Sequence, residues 1–193
     1  RQRQMCIRDS VKNLTSTKEQ RIMNINNISI AFFCRKRKRL DMRTVDLFAG
    51  CGGLSLGFQD AGFDIVAAFE FWDVAADCYT KNFSHPVFRL DLSDTEEAVK
   101  IIKRFNPEII IGGPPCQDFS HAGKRVEAGR AILTESYAEI VKKIKPPYFV
   151  MENVDRASNS AAFANARTVF KKAGYGITQI TLSLIHISEP TRH

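Results

Sequence analysis

The chain has 193 residues, a formal net charge of +7 at neutral pH and five cysteines. A chain of this length accommodates one domain with a sizeable core. It has no apolar run long enough to cross a membrane and no secretory signal, so we expect a soluble, cytoplasmic protein without a membrane partner. The cysteines are odd in number and form no C-x-x-C pair, which argues against a disulfide scaffold or a zinc site and predicts reduced thiols and no bound metal.

The positive charge is concentrated before Met42. Residues 1–41 carry 11 lysines and arginines against 3 acidic residues, whereas residues 42–181 are close to neutral. The part of the chain that contains recognisable motifs is therefore not basic. The overall charge is no evidence for binding to nucleic acid.

Both ends of the chain look foreign to the fold. Residues 1–10 resemble one translated frame of the transposon-end adapter used to prepare sequencing libraries, and residues 182–193 resemble a frame of its partner. We expect both segments to be adapter-like artefacts. Residues 11–41 are polar and basic without a sustained period, which predicts a disordered leader. Met42 is then a plausible natural start, with the leader either a solvated tail or untranslated in nature.

From Met42 onward, short β-branched runs alternate with amphipathic stretches, the pattern of βα units that build a parallel sheet. Strands are predicted at 43–48, 64–69, 86–90, 108–112, 147–151 and 176–181. Helices are predicted at 54–61, 73–82, 94–105, 131–144 and 160–173. The predicted fold class is α/β, a doubly wound Rossmann-like sandwich, in which ligands bind outside the carboxyl ends of the strands.

The first predicted strand runs into a glycine-rich turn, residues 46–55, that opens a helix. Its three glycines allow positive φ and close approach of a ligand. It is not a P-loop, because no Gly-Lys-Ser/Thr follows. Glu70 ends the next strand, about 20 residues further on, where such folds place a carboxylate for a ribose, and Asp91 ends the third strand. Each acid alone is more often an ordinary surface residue, but together they indicate a nucleotide-like cofactor.

The fourth predicted strand empties into a Pro-Pro-Cys turn with Cys116 at its tip. A lone cysteine is most often a small buried hydrophobe. Two prolines hold this one at the functional edge, which favours a nucleophile once the thiolate forms. Glu152 follows the next strand and, if partly buried, would have a raised pKa and donate a proton there. Taken alone, Glu152 would fit a helix cap or a solvated acid better.

Three segments together resemble signature motifs of the cytosine-C5 DNA methyltransferases. They are DLFAGCGGLSLGF at 46–58, GGPPCQDFS at 112–120 and MENV at 151–154, in the family's order and spacing. The resemblance covers residues 42–181, the first half of a typical member. It implies a methyltransferase fold that lacks its C-terminal part. Families that methylate adenine N6 or cytosine N4 carry Asp/Asn-Pro-Pro-Tyr at this loop, so Cys116 argues against them.

The resemblance implies a role for each matching residue. S-adenosyl-L-methionine would be bound by Phe48, Gly50, Gly52, Glu70, Phe71, Asp91, Leu92 and Pro114. Cys116 would attack C6 of a cytosine flipped out of double-stranded DNA, Glu152 would assist at N3, and methyl transfer to C5 would follow. Gln117, Ser120 and Asn153 would contact the substrate. The enzyme would act as a monomer.

The chain departs from the family mildly at Ile132, where the family has Asn. The family's Gln-x-Arg-x-Arg motif, target-recognition domain and closing helix do not occur before Thr181. We therefore expect the 193-residue polypeptide to be inactive as written, and the complete enzyme to serve a bacterial restriction-modification or orphan methylation system. Two alternatives stay open: a tRNA cytosine-C5 methyltransferase, which shares these loops, and a non-catalytic cofactor-binding remnant.

Overall fold

The computed structural model describes residues 21–25, 28–32, 41–115, 124–154 and 160–181. Its strands are β1 (Arg21–Ile25), β2 (Ile28–Phe32), β3 (Arg43–Leu47), β4 (Asp64–Phe69), β5 (Val87–Phe88), β6 (Ile109–Gly112) and β7 (Tyr148–Met151). Its α-helices are α1 (Gly53–Asp60), α2 (Asp73–Asn82), α3 (Thr95–Ile102), α4 (Lys124–Ile144) and α5 (Ala161–Lys172). Among these helices, none is long and apolar enough to span a membrane.

Five strands form a parallel sheet in the order β5-β4-β3-β6-β7. The chain enters this sheet at its middle strand, β3, builds outward through β4 and β5, then crosses back to β6 and builds outward through β7. This reversal of direction is the signature of a doubly wound sheet. The predicted fold class is confirmed.

The two faces of the sheet are covered by different helices. Alternate residues of β3 point to opposite faces, since side chains alternate along a strand. Val45 and Leu47 join the larger cluster, which is built with α3, α4 and α5. On the other face, Phe58 of α1 packs with Ile65 and Ile111. The helices on each side therefore cover one apolar face of the sheet, and β3 is buried between them.

Local signals explain where two of the helices begin. Asp94 precedes α3, and its side chain accepts a hydrogen bond from the Glu97 amide at 3.1 Å. Ser160 precedes α5 and accepts from the Phe163 amide at 3.2 Å. Both are N-caps, which satisfy amides that the first helical turn leaves without partners.

Four predictions of secondary structure differ from the structure. The strand predicted at 176–181 is wrong, because the backbone there is irregular and mostly exposed and none of the described strands pairs with it. The helix predicted from residue 131 begins at Lys124. The strand predicted at 86–90 is reduced to Val87–Phe88. Within the predicted leader at 11–41, β1 and β2 form an antiparallel hairpin that the sequence did not predict.

Candidate functional site

The predicted site residues lie at the carboxyl edge of the sheet. Phe48 follows β3, Glu70 follows β4, and Asp91 lies three residues beyond β5. Pro114 and Glu152 follow β6 and β7 in the same way. Because the strands are parallel, these loops emerge at one edge. The fold therefore places these five residues in loops at the same edge of the sheet, and their roles stay predictions.

The loop after β3 has a backbone that brings three residues into the left-handed region. Phe48 has φ 58°, Gly50 has φ 55° and Gly52 has φ 92°. A Cβ at Gly52 would meet the Phe83 ring within 3.0 Å, whereas a Cβ at Gly50 would meet nothing within 4 Å. Gly52 is thus required for packing against α2, while the space beside Gly50 is open to a ligand.

The Glu70 carboxylate ties this loop to the loop after β4. Its Oε2 accepts a hydrogen bond from the Gly50 amide at 2.8 Å, and its Oε1 accepts one from the Trp72 amide at 2.7 Å. Phe71, which follows Glu70 in the loop after β4, is 69% exposed. An exposed aromatic side chain beside a fixed carboxylate offers a stacking surface and a hydrogen-bond acceptor to the same ligand.

Asp91 and Leu92 occupy different environments although they are neighbours. The Asp91 carboxylate is exposed and accepts from the Ser93 amide at 2.9 Å. The Leu92 side chain is 2% exposed and belongs to the larger core cluster. A cofactor contact at Leu92 would therefore use its backbone rather than its side chain.

The ends of β6 and β7 are held together at the predicted catalytic edge. The Glu152 amide donates to the Gly112 carbonyl at 2.9 Å, and Asn153 Nδ2 donates to the Pro114 carbonyl at 3.4 Å. The Glu152 side chain is half-buried, and this loss of solvent raises the pKa of its carboxyl group above the usual value. A raised pKa increases the protonated fraction near neutrality, as a proton donor requires. Cys116, Gln117 and Ser120 lie outside the described residues.

Tyr137 is a buried residue of this edge that the sequence did not predict. Its hydroxyl, on α4, is placed between two strands and lies 3.2 Å from the Ile110 carbonyl and 3.0 Å from the Val150 carbonyl. These carbonyls stand two residues before Gly112 and two residues before Glu152. The side chain thus joins the strands that lead into both predicted catalytic loops. Only its position in an apolar helical stretch could have signalled burial, and nothing in the sequence signalled the bond.

A second buried group that the sequence missed lies at the two ends of the glycine-rich turn. Asp46 is fully buried, and its Oδ2 accepts a hydrogen bond from Ser55 Oγ at 2.6 Å. The Tyr79 hydroxyl donates to Ser55 Oγ at 2.5 Å and lies 2.6 Å from His85 Nε2. Burial raises the pKa of Asp46 from 3.8 to about 7, and the hydrogen bond from Ser55 opposes this rise.

The described cysteines are free thiols, Cys51 in the glycine-rich loop and Cys78 on α2. Over the described ranges, no three His, Cys, Asp or Glu side chains are grouped so as to hold a metal ion.

Comparison with known proteins identifies relatives over this same part of the chain. Residues 42–187 match the family described as C-5 cytosine-specific DNA methylase. The type II methyltransferase M.HindV of Haemophilus influenzae is 51% identical over 77% of this chain and 49% of its own length. The type II methyltransferase M.HgiGI of Herpetosiphon aurantiacus is 58% identical over 60% of this chain and 93% of its own length.

A solved structure supports the same relationship. The crystal structure of a prophage-encoded protein of E. coli, described as a DNA modification methyltransferase, superposes with a TM-score of 0.56 at 32% identity. It covers 67% of this chain and 37% of the other. The chain spans about half the length of the first two curated relatives that it matches.

Proposed function

Because the chain belongs to the C-5 cytosine-specific DNA methylase family, we propose that it forms the cofactor-binding and nucleophile-bearing part of an S-adenosyl-L-methionine-dependent DNA cytosine-C5 methyltransferase. The relatives are type II methyltransferases, which supports a role in restriction-modification. The observation that carries the proposal is the convergence of the Glu70, Pro114 and Glu152 loops at one sheet edge. We further propose that the enzyme is a cytoplasmic monomer whose substrate is double-stranded DNA.

The residues present fit a nucleoside cofactor of this kind. Glu70 has a fixed carboxylate whose free lone pairs can accept ribose hydroxyl groups. Phe71 offers an exposed ring for the adenine, and Asp91 offers an exposed carboxylate for its edge. Phe48 and Gly50 would contact the adenosine and methionine parts, Leu92 would bind the adenine edge together with Asp91, and Gly52 and Pro114 would also contact the cofactor. The cofactor would supply an electrophilic methyl group.

The chemistry of the base depends on two side chains. The C5 carbon of cytosine is too weak a nucleophile by itself, so the Cys116 thiolate would add to C6 and raise the electron density at C5. Protonated Glu152 would donate to N3 as negative charge develops there, and the raised pKa of its carboxyl supports this role. Loss of the C5 proton and expulsion of the Cys116 thiolate would restore the ring. Gln117, Ser120 and Asn153 would hold the flipped base.

The cofactor part of the proposal is tested on the 193-residue chain by calorimetry with S-adenosylmethionine. We expect saturable binding that Glu70→Ala weakens by at least tenfold, since one carboxylate supports both loops. Glu96→Ala is the matched control, because Glu96 is an exposed acid on α3 whose partner is Lys143. A folded chain without measurable binding, or equal losses in both variants, would contradict the cofactor assignment.

The base chemistry is tested on the complete gene product. With S-adenosylmethionine present, wild type should form a covalent adduct with a duplex containing 5-fluorocytosine, and Cys116→Ser should form none, because a hydroxyl is a far weaker nucleophile than a thiolate. Methylation of tRNA but not of DNA would instead establish the alternative substrate.

A further inference from the structure

The buried Asp46 carboxylate is connected to a half-buried histidine by an unbroken chain of hydrogen bonds. Hydrogen bonds join Asp46 to Ser55, Ser55 to Tyr79 and Tyr79 to His85, with donor–acceptor distances of 2.6, 2.5 and 2.6 Å. The first three side chains have no exposed surface. They stand on three different elements, namely β3, α1 and α2, and His85 precedes β5.

The number of hydrogens that each group carries fixes the direction of these hydrogen bonds. Ser55 has one hydroxyl hydrogen and donates it to Asp46, so its oxygen must accept the hydrogen of Tyr79. The Tyr79 hydrogen is then used, and its oxygen must accept from His85 Nε2–H. With Asp46 ionised, every donor therefore points toward the carboxylate and His85 is the Nε2–H tautomer.

Protonation of Asp46 on Oδ2, the oxygen bonded to Ser55, reverses the whole chain of hydrogen bonds. Asp46 Oδ2–H would donate to Ser55, Ser55 to Tyr79, and Tyr79 to His85 Nε2, which must then carry no hydrogen. The net change is the uptake of one proton. It enters at His85 Nδ1 from solvent, the Nε2 proton passes to Tyr79, and one hydroxyl proton moves along each step until Asp46 is neutral. No water needs to enter the core.

The groups around the chain favour such a change near neutrality. Asp46 Oδ1 is the only buried side-chain N or O atom of the described residues without a hydrogen-bond partner, which disfavours the ionised form. Glu70, next to the loop, adds a like charge, and the hydroxyl groups of Tyr79 and of Tyr137 on α4 also interact with Asp46. At the outer end, burial lowers the pKa of His85, and the charge of Asp64 opposes that effect.

We propose that His85, Tyr79 and Ser55 are positioning residues that form a proton relay to Asp46 and so set the charge at the start of the glycine-rich turn. The inference deepens the proposed function and rests on it for its effect on cofactor binding. S-adenosylmethionine carries one net positive charge at neutral pH because of its sulfonium. An ionised Asp46 at the start of this turn favours this cation, and a protonated Asp46 does not.

The effect on binding is measured by titrating the 193-residue chain with two ligands between pH 5.5 and 8.5. The affinity for S-adenosylmethionine should rise with pH by about three- to tenfold more than the affinity for S-adenosylhomocysteine, which lacks the sulfonium charge. Tyr79→Phe should move the midpoint of this difference to higher pH, because Ser55 then donates to Asp46 without support from the relay. Tyr175→Phe is the matched control, since its hydroxyl bonds to the Pro146 carbonyl outside the relay.

The relay itself is measured without cofactor. Proton–nitrogen correlation spectra of the histidines, with His85 assigned by His85→Gln, should show the Nε2–H tautomer above about pH 7 and growth of the Nδ1–H tautomer below it. Tyr79→Phe should abolish this exchange of tautomers and Tyr175→Phe should keep it. An Nδ1–H tautomer throughout, or an unchanged exchange in Tyr79→Phe, overturns the relay.

The two readouts separate two kinds of failure. Tautomer exchange without any cofactor binding would sustain the relay and contradict the proposed function of this chain. Binding whose ratio between the two ligands does not depend on pH, or a Tyr79→Phe midpoint equal to that of wild type, would overturn the link between the relay and the cofactor.

Discussion

Replacing Gly112 with alanine tests the packing between the two central strands. Gly112 is paired with Leu47 in the sheet, and a Cβ at Gly112 would lie within 3.0 Å of the Leu47 carbonyl oxygen and 3.0 Å from Tyr137 Cε2. The oxygen belongs to the backbone of a strand buried between two layers. It cannot move without separating β3 from β6, so the clash is not relieved by a side-chain rotation.

The expected cost follows from this rigidity. An extra methyl group in a packed core costs about 1–3 kcal/mol, and a backbone obstacle places Gly112→Ala at the upper end, about 3 kcal/mol. For a domain of this size, 1 kcal/mol lowers Tm by about 2–4 °C, so we expect a decrease of about 6–12 °C. Thermal unfolding followed by circular dichroism measures it directly.

Gly176→Ala is the matched control for this measurement. A Cβ there would meet nothing within 4 Å, and the backbone lies outside the left-handed region. The change should be neutral or slightly stabilising, because alanine reduces the entropy of the unfolded chain. If Gly112→Ala unfolds within about 2 °C of wild type while Gly176→Ala behaves as expected, the proposed contact between Gly112 and β3 is refuted.

Three further predictions use the same structure. Gly113→Ala places a Cβ 3.0 Å from Glu152 Oε2, whose side chain can move, so Tm should change little while the complete enzyme loses about tenfold in kcat. Phe170→Ala removes a buried ring stacked on Phe149 at 4.2 Å and should cost about 3–5 kcal/mol in urea unfolding, whereas exposed Phe71→Ala should cost under about 0.5 kcal/mol. Since Asp46 has a pKa of about 7 when folded and 3.8 ordinarily, the folded state holds more protons between these values. The unfolding free energy should therefore fall as pH rises from about 4 to 7, and less so in Asp46→Asn.

The central strands could be predicted from the local sequence alone. The runs that became β3, β4, β6 and β7 are apolar or β-branched and bounded by turn residues, and the observed strands agree with the predictions within about one residue. The segment 176–181 has a similar local pattern but no paired strand among the described residues. Strand formation needs a neighbour for its backbone hydrogen bonds, and that requirement is not written in the local sequence.

The same distinction applies to the site. The position of Glu70 at a strand end was predictable because the spacing between a glycine-rich turn and the next strand end is imposed by the fold. The chain of hydrogen bonds from Asp46 to His85 could not be predicted. Ser55 and Tyr79 look like ordinary helical residues, and they meet only when α1 and α2 pack on the same face of the sheet. Residues that meet only through the packing of separate helices on a sheet have no fixed spacing in the sequence.

Glu152 and Pro114 are held relative to each other by hydrogen bonds within and just beyond the ends of β6 and β7. The Tyr137 hydroxyl spans β6 and β7, the Glu152 amide is bonded to Gly112, and Asn153 is bonded to Pro114. Both strands are therefore in register up to the last described residues of the loop. Precise placement of a proton donor relative to a nucleophile requires rigid support. The ends of β6 and β7 are held in this way from within the sheet and by Tyr137 of α4.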